Sequence, residues 1–305
     1  MPQMGRDVAE MDREAMDTWK LAERTSGLPL RALYWESGDE AAMADTRALQ
    51  PALTAVCLNL WRMLAGKLKP VAMAGHSLGE YAALACSGTL TLEDTLHLVS
   101  LRGRLMAEAD PDGKGSMLAV VKLPSEVVED IVASVRRDTG EMLLIANYNT
   151  PAQLVLSGSK PALEQAAALV REHKGRGLPL SVSGAFHSPL MEGASAALQQ
   201  ALRKVTFKRP QCAVYGNTNA RPATDGASAQ EALLHQMTSP VQWIASIRAM
   251  AAAGVRRFVE IGPRPVVSKM VAPCLAGEPD AAAVQTMAIT NAVEAQDFSN
   301  NSSIA

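Results

Sequence analysis

The sequence predicts an α/β fold, and three observations carry that prediction. Alanine-rich stretches with helical spacing alternate with short apolar runs, the pattern of helices interleaved with buried strands. Val71-Ala72-Met73-Ala74 leads into Gly75-His76-Ser77-Leu78-Gly79-Glu80-Tyr81, which reads as a strand, a tight turn and a helix start. Residues 115–184 read strand, helix, strand, strand, helix, strand, the order of a ferredoxin-like unit inserted into a larger domain.

In chain order, a helix is expected near Val8–Arg24, with no strand before it. Leu49–Ala65 reads as a strongly apolar helix with Pro51 in its first turn, where proline is tolerated. A loop over residues 66–70 feeds the strand before Gly75. A long helix runs from Thr91 to Ala109, with Thr91 and Asp94 resembling a capping box. The turn-rich Ala109–Ser116 marks a boundary. Beyond it come strands over Met117–Val121, Met142–Tyr148, Gln153–Gly158 and Leu178–Ser183, and helices over Pro124–Asp138 and Pro161–His173. The chain then returns to the larger domain: strands at Ala213–Tyr215 and Arg257–Ile261, helices through Leu233–His235 and Trp243–Ala253, and an edge strand over Val284–Ile289. Ala295–Ala305 is polar and expected to fray. The expected division is residues 1–114 with 185–305 as one domain and 115–184 as the other.

Composition narrows the function. A net charge of −2 argues against a nucleic-acid or anionic-membrane surface. No apolar run reaches the length of a membrane span, and the N-terminus lacks a signal-peptide pattern. The four cysteines, Cys57, Cys86, Cys212 and Cys274, lack metal or redox spacing and are expected to be reduced, mostly buried thiols of a cytoplasmic protein.

Gly75, Ser77 and Gly79 form G-x-S-x-G, a pattern that strained strand-to-helix turns use to expose a nucleophilic serine. Both glycines are expected to be small because the two arms of the turn pass close together. The following helix aims its free N–H groups at the serine, so the Leu78 N–H is a ready oxyanion donor. The plainer reading is that Ser77 and Glu80 make an ordinary capping box.

On a wheel of roughly 100° per residue, Glu93, His97, Ser100, Arg104 and Glu108 form a polar arc on the 91–109 helix, and Arg102 falls among its apolar residues. A buried arginine needs an anion, because it cannot shed its charge. That anion is either a protein carboxylate or a ligand. Gly103 permits close approach of a backbone or a ligand.

A serine nucleophile needs a base. Of five histidines, His76 should point away from Ser77, His97 lies on the polar arc, and His173 and His235 lie in helices. His187, at a strand end between Phe186 and Pro189, is the best base by elimination. No Asp or Glu stands where a triad acid belongs, which suggests a Ser–His dyad oriented by a backbone carbonyl. Such a weak base suffices if the acyl acceptor is a thiol.

Gly75-His76-Ser77-Leu78-Gly79-Glu80-Tyr81, Leu101-Arg102-Gly103-Arg104-Leu105-Met106, Asn147-Tyr148-Asn149-Thr150-Pro151-Ala152-Gln153, Gly184-Ala185-Phe186-His187-Ser188 and Pro240-Val241-Gln242-Trp243 occur in that order. Together they resemble bacterial malonyl-CoA:acyl carrier protein transacylases, a family shared with the acyltransferase domains of polyketide synthases. The resemblance implies an α/β-hydrolase-like large domain with a parallel sheet and an inserted ferredoxin-like subdomain. By the same resemblance Ser77 matches the nucleophile, His187 the base, and Arg102 the arginine that grips the malonyl carboxylate, which overturns the ion-pair reading. Gln153 matches a polar residue lining the site, and Gln236 the residue whose main-chain carbonyl orients the histidine. Phe186 looks like the malonyl-type choice, bulky enough to crowd an α-methyl branch.

The implied reaction moves a malonyl group from malonyl-CoA to Ser77, then to the phosphopantetheine thiol of acyl carrier protein, for fatty-acid synthesis. No metal or permanently bound cofactor is expected, and the chain is expected to be a monomer. Carrier proteins are acidic, so Arg171, Lys174, Arg176, Lys204, Lys208 and Arg209 are candidates for docking. The alternatives are a polyketide or malonate-decarboxylase acyltransferase, a serine thioesterase or hydrolase, and a degenerate copy retained for binding. One departure stands out. The family opens with a strand and a P-G-Q-G-S-Q loop that helps form the oxyanion hole, and Met4-Gly5-Arg6-Asp7 matches the residues just after that loop. The expectation is that the region upstream, read in frame, encodes both.

Overall fold

Helices, not a strand, come first in the computed structural model, which describes residues 1–182 and 184–300. In place of the single helix expected over Val8–Arg24 there are two, α1 (Arg6–Met11) and α2 (Arg13–Ser26). The break is at Asp12, whose extended backbone (φ −142°, ψ 124°) lets its carboxylate cap α2 by accepting from the Glu14 N–H at 2.9 Å. A π-helical turn over Ala32–Glu36 and the short α3 (Glu40–Ala44) follow. α4 spans Thr46–Leu64, beginning three residues before the expected start because Asp45 caps it; Pro51 therefore sits in the second turn.

β1 (Ala72–Ala74) leads through the serine turn into α5 (Gly79–Cys86). α6 (Leu92–Glu108) is capped by Thr91, which accepts from the Asp94 N–H at 3.0 Å. Its wheel holds with two exceptions, one of them Leu92, an apolar residue that is 41% exposed. Arg102 is buried and Arg104 exposed as expected, but Ser100 is also buried, and its hydroxyl meets that of Thr25 at 3.1 Å. Gly103 serves a backbone and not a ligand: a Cβ there would lie 2.5 Å from the Thr46 carbonyl oxygen at the start of α4.

The next unit runs β2 (Gly115–Val121), α7 (Ser125–Thr139), β3 (Leu143–Thr150), β4 (Gln153–Ser159), α8 (Lys160–Glu172) and β5 (Arg176–Pro179). β5 begins two residues before the expected strand and ends at Pro179; Ser183 lies outside the described residues. The strands form one antiparallel sheet ordered β3-β4-β2-β5. Because side chains alternate across a strand, Leu118, Val120, Leu154 and Leu156 pack with α7 and α8. Met117, Ala119 and Val155 on the other face join the core of the remaining chain. The central strands β2 and β4 are therefore buried on both sides and continuous with the larger core, while β5 is a mostly exposed edge.

The chain returns through α9 (Glu192–Leu202), β6 (Ala213–Tyr215), β7 (Pro222–Ala223), α10 (Gly226–Leu234) and α11 (Trp243–Ala252). β8 (Arg257–Ile261), α12 (Ser268–Cys274), β9 (Gln285–Ile289) and α13 (Ala292–Asn300) complete it. The parallel pairing expected of the larger part is present in two pieces. β1 pairs with β6 in parallel, with β7 antiparallel beside it, and β8 pairs with β9 in parallel. The segment expected to fray is helical to Asn300, because Ala295 and Phe298 are buried in the main core; residues 301–305 lie outside the described residues. Among the described residues no helix is long and apolar enough to cross a membrane. Only Cys274 is fully buried; Cys57, Cys86 and Cys212 are half-buried free thiols.

Candidate active site

The turn between β1 and α5 places Ser77 in the left-handed region, φ 50°. Its two flanking glycines are not equivalent. A Cβ on Gly75 would lie 1.9 Å from both the carbonyl carbon and the oxygen of Gly79, whereas a Cβ on Gly79 would meet nothing within 4 Å. Asn217, just beyond β6, closes the turn from outside. Its Oδ1 accepts from the Ser77 N–H at 2.6 Å and its Nδ2 donates to the Gly75 carbonyl at 2.7 Å. The side chain thus does for the bend what a neighbouring strand does for a strand. The Ser77–Glu80 capping box does not form. The Glu80 carboxylate instead accepts from Gln236 Nε2 at 2.7 Å and from the Asn217 N–H at 3.3 Å. The Leu78 N–H takes part in no hydrogen bond among the described residues, so this donor beside the hydroxyl is open.

His187, also at positive φ (55°), places Nε2 2.8 Å from Ser77 Oγ. Its Nδ1 faces two carbonyls, Gln236 O at 3.0 Å and Ser239 O at 3.2 Å. Carbonyls only accept, so Nδ1 carries the hydrogen and Nε2 presents its lone pair to the hydroxyl. No carboxylate takes this orienting position among the described residues. Burial, and then the Arg102 charge, push the His187 pKa down to about 3. His76 turns away, meeting Asn149 Oδ1 at 2.7 Å and the edge of Trp243.

Arg102 comes from α6 and is 1% exposed. Nη2 donates to Ser77 Oγ at 3.0 Å and to Gln236 Oε1 at 3.1 Å, and Nη1 donates to Gln50 Oε1 at 2.9 Å. Its guanidinium carbon lies 5.6 Å from the centre of the Tyr81 ring. Every one of these partners is neutral, and among the described residues no carboxylate lies within ion-pair distance. The arrangement joins an activated hydroxyl, a neutral base, an open N–H donor and a buried cation with no carboxylate in direct contact among the described residues. It is equipped to take an acyl group as an ester and to prefer one with a negative end.

The acyl transferase domain family matches residues 3–300. Curated relatives include malonyl CoA-acyl carrier protein transacylases of Haemophilus influenzae and Bacillus subtilis. The first is 38% identical over 94% of this chain and 92% of its own length; the second is 36% identical over 88% and 84%. The chain belongs to the malonyl CoA-acyl carrier protein transacylase family. Solved transacylases share its structure. That of Xanthomonas oryzae superposes with a TM-score of 0.89 at 32% identity, covering 98% of this chain and 93% of the other. A malonyl-transacylase in complex with a type II polyketide synthase acyl carrier protein gives 0.90 at 30%, covering 99% and 96%.

Of the positions read from the sequence of this transacylase-family chain, the structure brings together Ser77, Leu78, Arg102, His187 and Gln236. Phe186 is buried beside His187 in the main core. Gln153 is not part of this hydrogen-bonded cluster; it opens β4, paired with Val121 and Thr150 at the hairpin end. Sequence reasoning missed Gln50, Asn217, Glu80 as a network member, and Ser239. Two of these carried a signal: Gln50 is a polar residue in the apolar α4, and Asn217 follows a parallel strand at its C-terminal end, where sites gather.

Proposed function

We propose that this chain transfers a malonyl group from malonyl-CoA to the phosphopantetheine thiol of acyl carrier protein through a Ser77 ester. Ser77 Oγ attacks the thioester carbonyl as His187 Nε2 takes its proton, and the Leu78 N–H donates to the developing oxyanion. CoA leaves as its sulfur takes the proton from His187. The carrier thiol then gives its proton to Nε2, attacks the ester, and regenerates the serine. Arg102 binds the malonyl carboxylate as a two-point ion pair, Gln236 and Ser239 hold the imidazole through their carbonyls, and Gln153, outside the hydrogen-bonded cluster, lines the site. Phe186 disfavours an α-methyl branch.

The carrying observation is the buried guanidinium, lacking an ion-pair partner among the described residues, with Nη2 3.0 Å from the Ser77 hydroxyl. A pure hydrolase has no use for it. We further read residues 1–114 with 185–305 as an α/β-hydrolase-like domain and 115–184 as a ferredoxin-like subdomain, supported by the β3-β4-β2-β5 order. The chain works as a cytoplasmic monomer that needs no bound metal or cofactor. Exposed Arg171, Lys174, Arg176, Lys204, Lys208 and Arg209 favour an acidic carrier.

Intact-mass measurement after exposure to malonyl-CoA tests this. The expected result is one malonyl adduct on the wild type, none on Ser77→Ala, and loss of the adduct to added holo-acyl carrier protein. Rapid release of free malonate with no transfer would overturn it in favour of a hydrolase.

A further inference from the structure

Among the described residues Glu80 is the one carboxylate bonded into the site, and the acyl-transfer steps do not use it. It is 1% exposed and lies on α5, three residues past the nucleophile. The side-chain amide of Gln236 stands between it and Arg102: Nε2 donates to Glu80 Oε2 at 2.7 Å, and Oε1 accepts from Arg102 Nη2 at 3.1 Å. The same Nε2 donates to the Ser77 carbonyl at 2.9 Å. Among the described residues both hydrogen bonds that Glu80 accepts land on Oε2, so Oε1 is the atom a proton would take.

We propose that Glu80 is a charge-balancing residue for Arg102, and that it takes up a proton when a substrate carboxylate binds the guanidinium. The proposal rests on the malonyl-transfer reading. The balance is simple. Without substrate, the buried cluster holds the Arg102 cation and, one amide away, the Glu80 anion. A malonyl carboxylate adds a second anion to the same low-dielectric volume, where like charges raise each other's pKa. One proton from solvent onto Glu80 Oε1 restores the original net charge, and the Gln236 amide keeps its place through the retained bond to Oε2. A neutral acyl group brings no charge and calls for no proton.

The setting allows this near neutral pH. Burial raises the Glu80 carboxyl to about 7, opposed by the Gln236 and Asn217 hydrogen bonds and by the Arg102 charge. The other titratable groups facing the cluster hold one state there. Burial raises Tyr81 to about 12, His187 is held near 3, and burial lowers His76. Linkage sets the sign. Malonyl binding favours protonated Glu80, so malonylation weakens as pH rises through the Glu80 pKa, by at most tenfold per pH unit.

The test is the rate constant for Ser77 acylation, read by intact mass between pH 6 and 8.5, with malonyl-CoA and acetyl-CoA on wild type and Glu80→Gln. In wild type the malonyl value should fall about four- to tenfold from pH 7 to 8.5 while the acetyl value stays level, and in Glu80→Gln the malonyl profile should be flat. Should Glu80→Gln not fold, the wild type still decides: heats of malonylation in buffers of different ionisation enthalpy should show proton uptake at pH 7.5, absent with acetyl-CoA. A wild-type slope retained in Glu80→Gln, parallel malonyl and acetyl profiles, or no proton uptake would overturn the proposal. Absence of any malonyl adduct would instead sink the functional reading beneath it.

Discussion

Arg102 and His187 meet on one atom, the Ser77 hydroxyl oxygen: Arg102 Nη2 lies 3.0 Å from Oγ and His187 Nε2 lies 2.8 Å from it. The oxygen thus donates to the imidazole and accepts from a cation. Losing its proton toward His187 is favoured by the positive charge beside it, and the same charge is available to a substrate carboxylate. One guanidinium therefore touches both the reacting atom and the selectivity of the site.

Arg102→Ala should separate those roles. With malonyl-CoA, kcat/KM is expected to fall about 10²–10³-fold, as for loss of a charge-assisted bidentate contact, and with acetyl-CoA about tenfold or less. Arg102→Lys keeps the charge but not the planar fork, and should fall between. Equal losses on both substrates, measured under single-turnover conditions, would mean that the arginine serves only the hydroxyl.

His187 predicts an acid limb far from that of an ordinary histidine. With its pKa near 3, only about one molecule in a hundred is protonated at pH 5. Acetylation of Ser77 should therefore stay level from pH 8 to 5, with no inflection near 6.5. The linkage to stability runs the other way. The unfolded imidazole binds a proton below about 6.5 and the folded one does not. His187 thus contributes stability above that pH, and the contribution is lost as pH falls, at up to about 1.4 kcal/mol per pH unit. A half-loss of activity centred at 6.5 would contradict the burial argument.

Asn217 is expected to matter to the bend and only through it to chemistry. Asn217→Ala leaves the Ser77 N–H and the Gly75 carbonyl without their partner, a cost of about 2–4 kcal/mol. Thermal unfolding should shift down by roughly 5–10 °C. Activity should fall in kcat more than in KM, since the hydroxyl loses its aim and not its substrate contacts. Thr224→Ala, an exposed change just past β7 whose side chain makes no hydrogen bond among the described residues, should lie within about 0.5 kcal/mol of wild type.

Much of this site was legible before the structure, and the reasons are local. The strand, turn and helix around Ser77 sit on contiguous residues, and Arg102 betrayed itself by falling on the apolar arc of a helix whose period is fixed. What escaped was non-local. Gln50 and Asn217 lie 52 and 140 residues from the groups they bond, and no periodicity relates positions so far apart. Gln236 was named for its main-chain carbonyl, but the bonds of its side-chain amide, 159 residues from Ser77, were not foreseen. Glu80 misled for a related reason: its spacing from Ser77 suits a capping box, and only the distant amide of Gln236 shows where the carboxylate goes. Asp12 broke a helix whose apolar pattern runs through it, because a cap is a backbone choice that hydrophobic spacing does not record.

The two glycines of the serine turn give the sharpest contrast. Sequence alone treats them alike, as small residues where two arms converge. In the structure a Cβ on Gly75 would stand 1.9 Å from backbone atoms of Gly79, and backbone, unlike a flexible side-chain end, cannot step aside. Gly75→Ala should therefore open the bend, destabilising the protein by more than about 3 kcal/mol, or prevent folding. Gly79 has open space and begins α5, where alanine is the better helix former. Gly79→Ala should leave the melting temperature unchanged or raise it slightly. Comparing the two melting curves checks this directly, and matched losses would mean that the arms of the bend approach each other symmetrically after all.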